Sequence, residues 1–336
     1  MIRTSLLPLV AIAGCGGGAA GSAVPGANPA MVRVAHAVRV DQRPSWMSPK
    51  AKSAKELLYV GDWDTNDVFV YDYPGGRPVG TLTGLSEPSG MCVDAKGDIY
   101  LTDAGGEVKE YAHGGKTPLK TYESGGDPIG CAVDVEGDLA VTSFSPGEFV
   151  VFAGGDPNKS TTYSDSACEY MWAGAYDGAG NLYAGGVYGA FAICELPAGA
   201  TKMRTVTLSP PSYSGSGGFE WDGRHLVFTV ITDESSTIVR VKESPATGDL
   251  TVTGTTALED TCYNDYVDLA NPFLLGKKNT PVNRSESRTV LGANLWCADA
   301  GTAKVDFWKY PQGGEPQSSL PNPPGAPYSA AVSIGK

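Results

Sequence analysis

Carboxylates stand beside aromatic rings at several points in this chain. Asp62-Trp63-Asp64, Asp103, Phe144, Tyr188, Asp233-Glu234 and Asp299 follow strand-like runs, while Glu87, Asp127, Glu169-Tyr170 and Glu259-Asp260 precede others. Carboxylates that converge favour a hard cation such as Ca2+, or a cationic ligand. Aromatic faces suit a sugar or an ammonium group. Groups fit for acid–base or nucleophilic work are scarce. The only histidines are His36, His113 and His225, and no GxSxG, HExxH or glycine-rich phosphate loop occurs. The expectation is therefore a binding site before a catalytic one.

A repeat positions these residues. EPSGMCVD ends at Asp94, DPIGCAVD at Asp134, YMWAGAYD at Asp177 and GSGGFEWD at Asp222, at steps of 40, 43 and 45 residues. Each Asp opens a tight turn, DAKG, DVEG, DGAG or DG. There the side chain can bond its own backbone, and Gly tolerates positive φ. The repeat position makes these four aspartates structural. A second marker closes the third run of each unit: YPGG, YAHGG, FAGG, LPAG and YPQGG. Two markers at one period of about 40 residues, with four β-runs per period, predict propeller blades.

The reading is an all-β, six-bladed β-propeller over residues 57–336. Blade one, LLYVGD, DVFVYDYP and PVGTLTG, has no inner strand in front of it. APYSAAVSI (326–334) resembles one, so the C-terminus should supply it and close the ring. Blade six is irregular. CYNDYVD (262–268) is the favoured inner strand over SRTVLG (287–292), with the residues between them as an insertion. In this architecture the loops entering the inner strands and those between strands two and three share one face, around the axial channel. Glu87, Asp127, Glu169, Asp62, Trp63, Asp103 and Asp299 would then form an acidic, partly aromatic ligand or metal face.

The core P-x-G-x-x-V-D-x-x-G-D-I-Y at 88–100, with a looser copy at 128–139, resembles the NHL-repeat family. It is also similar to the six-bladed propellers of the gluconolactonase and strictosidine synthase type, and to bacterial propeller lipoproteins. The gluconolactonase resemblance implies a divalent metal held by carboxylate and Asn at the channel, for which Asn264, Asp265 and Glu87 would be the set. Lyases of related folds use histidines around the channel, and this chain is poor in them. A propeller is shared by many activities, so the resemblance speaks to shape and not to chemistry.

The N-terminus reads as an address. Arg3 and the apolar run Leu6 to Ala13 suit a secretion signal and are too short to span a bilayer. Ile12-Ala13-Gly14-Cys15 resembles the bacterial lipobox, which implies cleavage after residue 14 and lipidation of Cys15. Residues 15–56 then form a lipidated tether, flexible at first. Within it Ser48 and Pro49 open a short helix, PKAKSAKE, by N-cap and first-turn preference. Trp46 and Met47 would pin the tether to the propeller side. The expected location is the outer side of a membrane, with the lipid as membrane partner.

Composition fits this picture. The 336 residues include 44 Gly and 24 Pro, which favours many turns over long helices. A net charge of −12 repels nucleic acid, which we discount as a partner. Six cysteines follow Cys15. Free buried thiols are expected at Cys92 and Cys131, and Cys262–Cys297 is the first pair to test. The leading expectation is a binding module for a small molecule, glycan or protein, with no cofactor beyond a possible Ca2+. The alternatives are a metal-dependent lactonase-like hydrolase or lyase, and a structural cell-envelope protein.

Overall fold

The structure is a computed structural model that describes residues 43–172, 174–185, 192–211, 218–231, 236–245, 247–259, 267–269, 294–299 and 304–336. The chain is an all-β propeller. Its runs become strands as the repeat predicts. Ile99–Asp103 and Leu139–Ser143, second strands of their sheets, are buried along their whole length. A strand covered on both faces must be apolar throughout, which is why these runs do not alternate. The outer strands Lys120–Glu123 and Ser160–Ser164 are polar and mostly exposed.

Hydrogen bonding groups the strands into six sheets. The first contains Pro327–Ile334, Glu56–Asp62, Asp67–Asp72 and Pro78–Leu82, from inside to outside, with Trp46–Met47 as a fifth strand on the outer edge. Sheets two to four start at Pro88–Val93, Pro128–Val133 and Ala175–Tyr176. The fifth starts at Phe219–Trp221 and carries Leu208–Ser209 in parallel on its outer strand, Leu250–Leu258. The sixth starts at Val267–Leu269. Counted as blades, five are recognised, one short of the six that the repeat predicts.

The C-terminal run pairs with the N-terminal one as expected. Glu56 faces Ile334 and Gly61 faces Ser329 in an antiparallel register, with a slip at Asp62. Leu57, Tyr59, Val68 and Val70 pack on Met91, Ile99 and Leu101 of the second sheet. On their other side Leu58, Val60, Ala330 and Val332 meet Val305 and Leu320 of the sixth. Burying such side chains contributes about 1.5–3 kcal/mol each. Glycine matters where inner strands approach. A Cβ on Gly90 would collide with the Ile129 carbonyl oxygen and lie 2.8 Å from Gly130 Cα.

One local expectation is corrected. The stretch after Ser48 is one 3-10 turn, Ala51–Ser53, and the chain turns extended at Ala54. The turn's N-cap is Lys50, with no side-chain cap, and Ser48 Oγ accepts only Lys50 N at 3.4 Å. The strand from Glu56 takes over the rest, because its pairing on both sides outweighs local helix preference. Trp46 and Met47 do attach to the propeller, as the edge strand opposite Thr81 and Gly80. In the sixth sheet the inner strand is Val267–Leu269, at the end of the favoured run, and Val267 faces Cys297. Residues 262–266 and 287–292 lie outside the described residues.

Candidate functional site

One clasp recurs three times on the face where inner strands begin. Asp62, Asp103 and Ser143 end second strands and face Pro327, Pro88 and Pro128. Proline has no N–H to give the ladder. The residue before it makes the bonds instead. Ala326 N donates to Asp62 Oδ2 at 2.7 Å, Glu87 N to Asp103 Oδ1 at 3.3 Å, and Asp127 N to Ser143 Oγ at 3.0 Å. In return the carbonyls of Ala326, Glu87 and Asp127 accept the amides of Trp63, Ala104 and Phe144. These bonds tie the two loop sets to one face.

The clasp occupies two of the candidate carboxylates. Asp62 is fully buried, and its Oδ1 also accepts Thr65 N at 2.9 Å and Thr65 Oγ at 2.8 Å. Asp103 is buried as well. It accepts Ser86 N at 3.0 Å and Gly105 N at 3.2 Å, and Lys109 Nζ lies 3.1 Å away. Carboxylates engaged in this way do not fit a cation cradle. Among the described residues no group of three or more His, Cys, Asp or Glu is arranged to hold a metal. Glu87 and Asp127 are half-buried at the loop entrances, and Glu169 is exposed. Asp299 ends a strand opposite Lys304, and its side chain lies outside the described residues. So do Tyr188, Asp233, Glu234, Asp260, Asn264 and Asp265.

Aromatic rings gather at the same face. Tyr328 from the first sheet, Ile129 from the third and Trp172 at the entrance to the fourth are buried against one another. The cluster thus joins residues of the first and third sheets and of the entrance to the fourth, which lie far apart in the chain. Trp63 and Phe144, both half-buried, lie on it. Trp63 stacks on Tyr328 at 4.2 Å and 10°. Phe144 sits edge-on to Trp172 at 5.7 Å and tilted to Tyr170 at 5.5 Å. Offset and edge contacts of this kind are favourable.

Two features of this mouth are unlike packed core. Tyr170 is 39% exposed and holds φ 57, a left-handed conformation that a bulky residue adopts only under constraint. Trp63 Nε1 is buried without a hydrogen-bond partner among the described residues. An orphaned donor of that kind costs about 1–3 kcal/mol. Around the rings the loops 63–66, 84–87, 104–106, 124–127, 144–147, 165–172 and 321–326 contain Asp and Glu but no Lys, Arg or His. Trp63 was visible in the sequence. The partnership of Tyr328, Ile129 and Trp172 was not, because it joins residues far apart in the chain.

The other chemically suggestive residues serve the fold. Each turn aspartate accepts two downstream amides through Oδ1: Lys96 and Asp98 on Asp94, Glu136 and Asp138 on Asp134, Ala179 and Asn181 on Asp177, Arg224 and His225 on Asp222. Burial pushes Asp134 up to about 6. His113 ties the second sheet to the seam, with Nδ1 2.6 Å from Ser333 Oγ and Nε2 2.9 Å from Ala54 O; burial lowers its pKa. His225 lies 3.2 Å from Asp222 Oδ2.

The cysteine expectation is corrected. Cys92 and Cys131 are not free thiols but a disulfide between the inner strands of sheets two and three. Their Cα atoms are 5.6 Å apart, within bridging range. Cys168 and Cys194 form a second bridge. Inner-strand neighbours one repeat apart were the available signal for the first. Cys262 lies outside the described residues.

No protein-family model matches the chain, and no curated protein matches it in sequence. Solved structures do match in shape. A chain of the nidogen–laminin complex superposes with a TM-score of 0.58 at 14% identity, covering 84% of this chain and 99% of that one. A chain of Kuenenia stuttgartiensis hydrazine synthase gives 0.53 at 13% identity, covering 78% and 75%. At such identities the fold alone is shared. The protein is a β-propeller.

Proposed function

We propose that this protein is an exported, lipid-anchored, six-bladed propeller that binds its ligand through the aromatic mouth and acidic rim described above. Six hydrogen-bonded sheets and the pairing of Pro327–Ile334 with Glu56–Asp62 support six blades closed by the C-terminal strand. The lipobox-like Ile12-Ala13-Gly14-Cys15 supports anchoring through Cys15, and the two disulfides suit an oxidising compartment. Replacing Cys15 with Ser should move the protein from the membrane fraction to the soluble one.

The observation that carries the binding role is the mouth itself, a cluster with a strained, exposed Tyr170 and, at Trp63, an indole N–H without a partner among the described residues. Strain and unmet hydrogen bonds persist where surrounding structure enforces them, and such positions cluster at ligand sites. The experiment is to probe arrays of saccharides, organic ammonium compounds and peptides with the purified protein. One class should be retained, and Tyr170→Ala should weaken its capture about tenfold, the loss of one aromatic contact of ~1.4 kcal/mol, with the melting temperature unchanged. Equal capture by wild type, Tyr170→Ala and Trp63→Ala would remove the mouth from the function.

A further inference from the structure

We propose that the propeller docks on an anionic lipid surface through a lysine patch at the seam of its first two sheets, on the face opposite the mouth. The inference rests on the lipid anchor at Cys15 and adds the orientation that the anchored protein takes up.

Four segments meet at this seam. His113 lies 2.6 Å from Ser333 Oγ and 2.9 Å from Ala54 O, Gly335 N donates to Lys55 O at 2.8 Å, and Ser333 Oγ bonds Gly97 O. A Cβ on Gly114 would lie 2.6 Å from Lys52 N. These segments bring Lys50, Lys52, Lys55, Lys96 and Lys116 to one face, and all of them are exposed. Only Lys96 has an ion pair among the described residues, with Asp94 at 3.7 Å. The acids of the same segments are turned inward. Asp94 is buried and accepts the amides of Lys96 and Asp98, while Glu56 and Asp98 are half-buried. A surplus of exposed positive charge remains.

An apolar side chain stands beside that charge. Leu119 is 54% exposed within Lys116-Thr-Pro-Leu-Lys120. It precedes the outer strand Lys120–Glu123, at the same end of the second sheet as Lys96. An aliphatic residue flanked by lysines matches the boundary of a bilayer, where ammonium groups meet phosphates and the apolar group enters the acyl layer. About four to eight basic residues in a cluster is the number that holds protein on anionic lipid.

The net charge of −12 does not prevent this. Charges farther than about 8 Å are largely screened at physiological ionic strength. The described loops around the mouth hold Asp and Glu but no Lys, Arg or His, and docking by the lysine face turns them away from the phosphates. The tether reaches. Arg43 pairs with Asp67 at the mouth end of the first sheet, and Cys15 stands 28 positions before it. That is up to about 90 Å of extended chain. The seven-residue strand Glu56–Asp62 spans only about 23 Å from one face to the other.

The test reconstitutes the full-length acylated protein in phosphatidylcholine vesicles with and without phosphatidylglycerol. The photo-crosslinking residue p-benzoylphenylalanine replaces either Leu119 or Asp64, an exposed position on the opposite face. Position 119 should form adducts with lipid when phosphatidylglycerol is present, and position 64 should form few. Each lysine removed should weaken docking about fivefold. The triple variant K52Q/K55Q/K116Q should therefore cut the yield at 119 by about tenfold or more, with the melting temperature unchanged. Lipid adducts that form as readily from position 64, or that ignore phosphatidylglycerol or the lysines, would overturn the inference. Adducts from 119 to protein alone would overturn it too and make the patch a protein interface. Intact mass keeps the two readings apart. Protein without acyl chains on Cys15 loses the anchor and this inference with it, whereas acylated protein without charge-dependent lipid adducts loses the docking alone.

Discussion

Replacing Asp62 with Ala tests whether the clasp carboxylates belong to the fold. Asp62 is fully buried and bonds Ala326 N at 2.7 Å and Thr65 N at 2.9 Å. An amide bond to a carboxylate contributes about 1.5–3 kcal/mol, and the buried Ala326 amide would be left without an acceptor. Thr65 is exposed, so its amide regains water and adds about 0.5–1.5 kcal/mol. The sum is about 3 kcal/mol. With an unfolding entropy of about 2.1 cal/mol/K per residue, residues 57–336 should melt about 5 °C lower. Asp62→Asn keeps one acceptor and should lose about half as much. Differential scanning calorimetry reads both. A drop below about 1 °C for Asp62→Ala would refute the clasp and return Asp62 to the candidate ligand face.

Gly90→Ala forces a methyl against the Ile129 carbonyl and should cost about 1–3 kcal/mol, read by urea denaturation. Replacing both Cys92 and Cys131 with Ser opens a loop with a sequence separation of 39 and should cost about 4 kcal/mol in the chain-entropy account. With both proteins in reductant, which also opens Cys168–Cys194, wild type should converge on the variant. Asp134 gives a pH dependence. Its folded pKa, about 6, lies above the ordinary carboxyl value, so the folded state keeps a proton that the unfolded state has already lost. Its contribution is full below about pH 4 and disappears as pH rises through 6. Asp134→Asn keeps an oxygen for the amides of Glu136 and Asp138, so its stability should exceed wild type at pH 7 and match it near pH 4.

The repeat was legible because each unit carries its own local chemistry. An aspartate that bonds amides two and four positions on, followed by a glycine at φ 86–89, leaves the same trace at residues 94, 134 and 177. The C-terminal strand was legible for the same reason, since Pro327–Ile334 has the residue pattern of an inner strand and the first sheet lacked one. The role of Asp62 and Asp103 was not. A carboxylate on a loop looks available until the proline opposite it is placed and the preceding amide needs an acceptor. The mouth was half legible: Trp63, Phe144 and Tyr170 fell on the expected face, but Tyr328 and Ile129 read as ordinary strand residues. Only the packing of the folded chain brings them together.

The mouth exists because the tail strand brings Tyr328 against Trp63 and Ile129, so that strand's seat is the claim on which the account stands. Hydrogen exchange measures it directly. Amides of residues 57–61 lie between Pro327–Ile334 and Asp67–Asp72, and should exchange only with global unfolding. The exposed outer strand Ser160–Ser164 supplies the fast reference in the same experiment. If amides within 57–61 exchange as fast as that reference, the C-terminal strand does not sit there and the mouth is not built as described.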